Sequence, residues 1–258
     1  MSGLLEGKSV VIYGGGGAIG GAVARVFARE GAAVFLAGRT QEKLDAVAHD
    51  IAAAGGKAET ALVDVFDQQA VEAHAAAVAA AAGGIDVALN AVSVPHDQGT
   101  QLADLTLEEF LRPIDGFLRA LFITSKAVAP HMGGERPGVI LTLSEPGAKL
   151  AVPGILGHAA SAAGKEAFAR VLAAELAPAG VRVVGIRPHA VVDAPEAGSY
   201  TKELFTPEFL EAGLAPGTLL KRLPTLAEVA ETAAFLASDR AAIITGTVAN
   251  LSAGALVD

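Results

Sequence analysis

The sequence predicts a doubly wound α/β fold, a seven-stranded parallel sheet with helices on both faces. Three observations predict it. Seven short apolar runs alternate with helix-period stretches along the 258 residues. The runs are close to continuously apolar and carry many β-branched residues, as strands covered on both faces do. A glycine-rich turn joins the first run to the first helical stretch. Alternating β and α segments imply a parallel sheet, and right-handed crossovers then lay helices on both of its sides.

The strands are expected at 9–13, 33–37, 60–63, 85–89, 139–143, 181–186 and 247–251. The helices are expected near 18–30, 40–54, 67–82, 106–131, 157–177 and 225–238. Thr40 reads as an N-cap, Gly31, Gly55 and Gly83 follow helical stretches, and Pro178 with Gly180 closes another. No Pro-, Ser- or Gly-rich linker and no internal repeat interrupts the pattern, so 1–258 is read as one dinucleotide-binding domain. The least regular stretch, 193–224, holds Pro195, Gly198, Pro207, Gly213, Pro216, Gly217 and Pro224. It follows the sixth strand's carboxyl end, where open α/β sheets take ligands, and is expected to act as a substrate lid.

Composition removes several function classes. Lys and Arg number 19 against 28 Asp and Glu, a net charge of −9. That argues against nucleic acid or an anionic membrane as partner, since both want a basic face. The absence of cysteine excludes disulfides, thiolate metal sites and a Cys nucleophile. Hydrophobic residues make up 52% and charged ones 18%, which argues against disorder. No apolar run reaches the roughly 18 residues of a spanning helix, and residues 1–8 lack a secretory leader pattern. The expectation is a cytoplasmic protein without a membrane partner.

The turn Tyr13-Gly-Gly-Gly-Gly-Ala-Ile-Gly20 sits between the first strand and the first helix. Glycine is needed where backbone turns with positive φ and approaches a phosphate closely, and the helix amino terminus presents free N–H groups to the anion. In that context Gly14, Gly16, Gly17, Ala18, Ile19 and Gly20 read as a dinucleotide cradle. An acidic residue ending the second strand would bind a ribose 2′-hydroxyl and repel a 2′-phosphate. Here the strand ends in Ala37-Gly38-Arg39-Thr40. Arg39 offers a forked cation and Thr40 a hydroxyl, which predicts NADP(H) over NAD(H).

These residues resemble the short-chain dehydrogenase/reductase family over nearly the whole chain. The family's Thr-Gly-x-x-x-Gly-x-Gly falls on Tyr13, Gly14, Ala18 and Gly20. Its adenine-contacting Asp and the following aliphatic residue match Asp64-Val65, and its Asn-Asn-Ala-Gly falls on Asn90-Ala91-Val92-Ser93. Its Pro-Gly after the sixth strand falls on Pro188-His189, and the segment from Ser238 to Gly246 is very similar to its carboxyl-terminal stretch. The resemblance implies a Rossmann-type sheet in the order 3-2-1-4-5-6-7, a nicotinamide cofactor, and a homodimer or homotetramer built through the two long helices. It also implies cofactor roles for Asp64, Val65, Asn90, Ala91, Pro188 and Lys165.

The family moves its proton with a Tyr four residues before a Lys, helped by a Ser and an Asn. Ser144 matches the Ser and Lys165 the Lys, but Ser161 stands at the Tyr position and Phe117 at the Asn position. The only tyrosines, Tyr13 and Tyr200, lie elsewhere in the sequence. An aliphatic hydroxyl such as Ser161 is a far weaker acid than a phenol. His158, three residues before Ser161 and seven before Lys165, shares their helix face, and imidazole titrates near neutrality. The catalytic group is therefore read as Ser144 for the substrate oxygen, His158 as acid/base, Ser161 beside it, and Lys165 for the ribose. Further polar candidates at the strand ends are His96, Asp97, Gln98, Glu145, Lys149, His189 and Asp193. Their spacing matches no compact metal-ligand pattern, so no metal site is expected.

The leading expectation is an oxidoreductase with an atypical active site. It would exchange hydride between NADP(H) and a small carbonyl, alcohol or enone. The stretch from Leu141 to Pro153 locally resembles the enoyl-reductase branch, although the spacing to Lys165 does not. Two alternatives remain open: a catalytically silent NADP-binding sensor or partner protein, and a non-redox cyclase or dehydratase on the same scaffold.

Overall fold

A computed structural model describes residues 3–194 and 206–257. Seven strands form one sheet: β1 (Ser9–Tyr13), β2 (Ala33–Gly38), β3 (Lys57–Leu62), β4 (Val87–Asn90), β5 (Gly138–Leu143), β6 (Val181–Pro188) and β7 (Thr247–Leu251). Their order is β3-β2-β1-β4-β5-β6-β7, and each neighbouring pair is parallel. The helices between them are α1 (Ala18–Arg29), α2 (Gln41–Ala53), α3 (Gln68–Ala82), α4 (Leu107–Val128), α5 (Leu156–Leu176), the short α6 (Pro207–Phe209) and α7 (Leu226–Ala237).

Successive strand residues point to opposite faces, and the two cores follow that alternation. Val10, Ile12, Val34 and Leu36 pack with Phe27 of α1, Leu44 of α2 and Ala233 of α7. Val11, Tyr13 and Phe35 pack on the other side with Val71 of α3, Ala120 of α4 and Ala169 of α5. Helix starts follow their caps. Asp67 accepts from the Ala70 amide at 3.1 Å, and Thr106 with Glu109 and Thr225 with Glu228 form reciprocal capping boxes. Thr40 occupies the N-cap position of α2, but its hydroxyl makes no capping bond.

Two boundaries differ by three residues, each for a physical reason. β3 begins at Lys57, three residues before the apolar run at 60, because an edge strand alternates exposed and half-buried residues and so lacks a continuous apolar pattern. The long helix expected to reach 131 ends at Val128. The 3₁₀ turn Ala129–His131 follows it, with Pro130 lacking the donor that the α-helix needs. Of the expected lid, residues 195–205, including Tyr200, lie outside the described residues. The rest includes α6, the wide turn Leu210–Leu214 and the turn Ala215–Gly217.

The strand order reverses between β1 and β4, whose ends pair as Tyr13 with Asn90. The crevice at such a switch point is where doubly wound sheets take their ligand.

Candidate active site

The crevice has two ends. At one, a cleft of about 170 Å³ is lined by Gly14, Gly16, Gly17, Arg39, Thr40, Lys43, Val63, Val65 and Ala91, among others. Backbone proximity dictates its glycines. Gly14 has φ +83°, and a Cβ there would stand 2.4 Å from the Ala91 carbonyl oxygen. A Cβ on Gly20 would stand 2.3 Å from the Gly14 carbonyl oxygen. Ala18, Ile19 and Gly20 form the first turn of α1, whose amino-terminal N–H groups carry no side-chain cap. Free N–H groups, a positive helix end and a path without side chains are what a diphosphate needs, so these residues fit a dinucleotide.

The other predicted cofactor residues border the cleft in different ways. Asp64 is exposed between the lining residues Val63 and Val65, and its Oδ1 accepts from the Phe66 amide at 3.1 Å. Asn90 donates from Nδ2 to Thr124 Oγ1 at 2.8 Å, fixing the end of β4 against α4. Pro188 is buried at the end of β6, away from the lining residues. Lys43, in the first turn of α2, was missed by sequence reading. A cation three residues past the Arg39-Thr40 pair is the available signal.

At the other end, α5 turns His158, Ser161, Ala162 and Lys165 toward the interior. The structure brings His158, Ser161 and Lys165 to one helix face and Ser144 to the adjoining strand end, each engaged differently. Ser161, fully buried, donates to the His158 carbonyl of its own helix at 2.9 Å. Ser144 donates from Oγ to Glu166 Oε1 at 2.8 Å. The same Glu166 oxygen accepts from Arg187 Nε at 2.7 Å, so a buried ion pair ties the ends of β5 and β6 to α5. Lys165 donates from Nζ to Glu145 Oε1 at 2.6 Å and lies 4.2 Å from the centroid of the Phe117 ring. Glu145 Oε2 is buried without a partner.

His158 meets His96 from the loop after β4, with 3.0 Å between His158 Nδ1 and His96 Nε2. Their ring planes lie 9° apart, and the edge of the Phe117 ring system closes on His96 at a centroid distance of 5.6 Å. Burial pushes the His158 imidazole down to about 4, with Glu145 partly opposing, and it lowers His96 as well. Burial alone would raise the Glu145 carboxyl, but Lys165 beside it, with His158 and His96 near, holds it below the usual range. His96 and Glu145 had been noted only as polar residues at strand ends, whereas Glu166 had given no signal. His189 turns back on its own backbone, its Nδ1 accepting from the Ala190 amide at 2.6 Å. Asp193 accepts from the Leu226 amide at 2.8 Å, at the start of α7. Among the described residues no group of acidic and histidine side chains is arranged to hold a metal. No described helix is long and apolar enough to cross a membrane.

A glycine cradle at a switch point, with a helix start that no side chain caps, defines the class of a dinucleotide-binding doubly wound protein. A protein-family model described as enoyl-(acyl carrier protein) reductase matches residues 16–255. The chain belongs to the short-chain dehydrogenase/reductase family and is an oxidoreductase of that type. It is 34% identical over 248 residues to the oxidoreductase UcpA of Salmonella typhimurium, covering 95% of this chain and 93% of that protein. It is 31% identical over 255 residues to the 3-oxoacyl-[acyl-carrier-protein] reductase FabG of Chlamydia muridarum, covering 98% and 99% of the two chains. A solved structure of 7 alpha-hydroxysteroid dehydrogenase complexed with NADH and 7-oxo glycochenodeoxycholic acid is similar, with a TM-score of 0.86 at 28% identity. It covers 100% of this chain and 98% of that one.

Proposed function

We propose that this chain reduces or oxidises a small carbonyl, alcohol or enone with NADP(H), and that it works without the family's tyrosine, using His158 to move the proton. The observation that carries this reading is the position of His158. It stands on the inward face of α5 with Lys165, with its Nδ1 3.0 Å from His96 Nε2, and no described residue hydrogen-bonds its own Nε2. Ser161 gives its proton to its own helix, so it is assigned no proton transfer.

The cleft would hold the dinucleotide through Gly14, Gly16, Gly17 and the α1 amino terminus, with Arg39, Thr40 and Lys43 on the 2′-phosphate. The bound nicotinamide supplies or accepts hydride. Lys165, ion-paired with Glu145, would donate to the ribose of the bound dinucleotide. Ser144 has its proton on Glu166, so its lone pairs accept from a substrate hydroxyl, and rotation about its Cβ–Oγ bond turns it into a donor for a carbonyl. His158 gives the proton to the substrate oxygen on reduction and takes it on oxidation. Support for NADP(H) is the pair of cations with no acidic side chain lining that part of the cleft. The exposed Leu111 and Phe122 on α4 and Val171 on α5 support association into a homodimer or homotetramer.

Fluorescence titration with both cofactors tests the first half: NADPH should bind more tightly, and equal or tighter NADH binding rejects it. Absorbance loss across ketones, aldehydes and enones tests the second. His158→Ala should lower turnover about a hundredfold or more, and unchanged turnover removes its role. The silent binding protein draws support from Phe117 packed on Lys165 and from Ser144 held by Glu166. Tight NADPH binding with no turnover anywhere in the panel selects it.

A further inference from the structure

The loop after β4 sends one side chain, His96, into the space in front of α5, where it is 3% exposed. Its two ring nitrogens have different partners. Nδ1 lies 2.7 Å from the Val94 carbonyl oxygen. A carbonyl only accepts, so His96 Nδ1 carries hydrogen. On neutral His96 the lone pair is then on Nε2. Two groups approach that lone pair, Gln98 Nε2 at 2.9 Å and His158 Nδ1 at 3.0 Å. His158 must donate there, which puts its own hydrogen on Nδ1 and its lone pair on Nε2. The side of His158 bearing that lone pair faces Gly147, where a Cβ would stand 2.9 Å from Cδ2 and 3.4 Å from Nε2. A residue larger than glycine would cover the ring edge that has to meet a substrate.

We propose that His96 is a positioning residue that fixes the tautomer of His158 and receives the proton that His158 passes on. The inference rests on the reading of His158 as acid/base and names the device that makes it one. In alcohol oxidation the substrate C–H bond breaks with hydride leaving to the oxidised nicotinamide dinucleotide, and the O–H bond breaks with the proton going to His158 Nε2. The Nδ1 proton of His158 then moves to His96 Nε2. The result is a carbonyl product, reduced cofactor, neutral His158 protonated on Nε2, and cationic His96. The cation is held by the Val94 carbonyl through Nδ1–H, and the proton later leaves to solvent. Carbonyl reduction runs the same transfers backwards. The charges facing the pair are Glu145 and Lys165, which are ion-paired with each other, and Asp97 beside His96. The carboxylates favour a transient imidazolium there, and Phe117 meets His96 in a T-shaped contact.

The test needs no substrate. Nitrogen-15 NMR of the imidazoles in the full chain near neutral pH should show His158 protonated on Nδ1 and bare on Nε2. His96→Leu removes the acceptor, and His158 should then change to the Nε2–H form. His96→Gln offers an amide oxygen at the same place and should restore the Nδ1–H form. Circular dichroism melts of both variants establish that each one is folded. With a turned-over substrate, His96→Leu should lower kcat about ten- to a hundredfold with KM nearly unchanged, and shift the pH limb assigned to His158. His96→Gln should recover part of the rate. An Nε2–H tautomer in the unmodified protein overturns the proposal. So does a His158 tautomer that is the same in the unmodified protein and in a folded His96→Leu variant. The expected tautomers in a protein that turns over nothing would uphold the hydrogen-bond assignment and reject only the catalytic reading.

Discussion

The two ends of the crevice are built from opposite materials. The dinucleotide end is mostly backbone and small residues, with Gly14, Gly16 and Gly17 beside a helix start that no side chain caps and Arg39 and Lys43 at its border. The other end is side chains from four places, the loop after β4, the end of β5, α5 and β6, with Glu145–Lys165 and Glu166–Arg187 as ion pairs and His96 meeting His158 of α5. The glycine stretch of the first end tolerates almost no added atom. The second depends on where every proton sits. A glycine cradle and a cluster of buried charged side chains can therefore drift independently on one fold.

Three perturbations sharpen that contrast. The largest effect belongs to Gly14→Val, which puts a side chain into the Ala91 carbonyl at a positive-φ position. Dinucleotide binding measured by fluorescence should be lost, with the stacked loops destabilised. Retained binding would mean that the cradle is not where the diphosphate lies.

Next comes acid stability. His158 is pushed down to about 4, and burial lowers His96, His74 and His189 as well. Below about 6.5 the unfolded chain takes up protons at these residues while the fold does not. Stability is thus fully present above that pH and falls as pH drops toward about 4. The His158 share is about 3 kcal/mol. Denaturant midpoints across that range should fall, and should fall less for His158→Phe. Equal slopes would place the imidazole in a wetter setting than the one described. The smallest effect is on cofactor choice. Arg39→Ser with Lys43→Ala should weaken NADPH about tenfold or more, leaving NADH unchanged. Equal losses for both cofactors would take the two cations away from the 2′-phosphate.

The same contrast governs what was legible in the sequence. The strands other than β3 fall close to their expected places, because buried parallel strands write themselves as apolar runs. The half-exposed edge strand β3 does not, so Lys57 and Glu59 hid its start. The cradle was readable because backbone proximity demands glycine at particular spacings. The reacting end was only partly readable. His158, Ser161 and Lys165 share a helix, and helical periodicity places them together. Glu166 meeting Ser144 and Arg187, and His96 meeting His158 across 62 residues, are products of strand ends converging, which no local pattern records. Lys43 was hidden for the same reason, since its place in the cleft depends on how α2 leaves β2.

The Gly99 amide donates to the Gly154 carbonyl at 2.7 Å, and a Cβ on Gly154 would stand 2.7 Å from the Gly99 carbonyl. The segments after β4 and β5 are thus stitched edge to edge over the reacting end, like two flaps sharing one button. The segment that carries His96 is thereby tied through backbone to the one that begins at Ser144. Under the proposed relay, loosening that tie, as Gly154→Ala would, should disturb the contact between His96 and His158 as well.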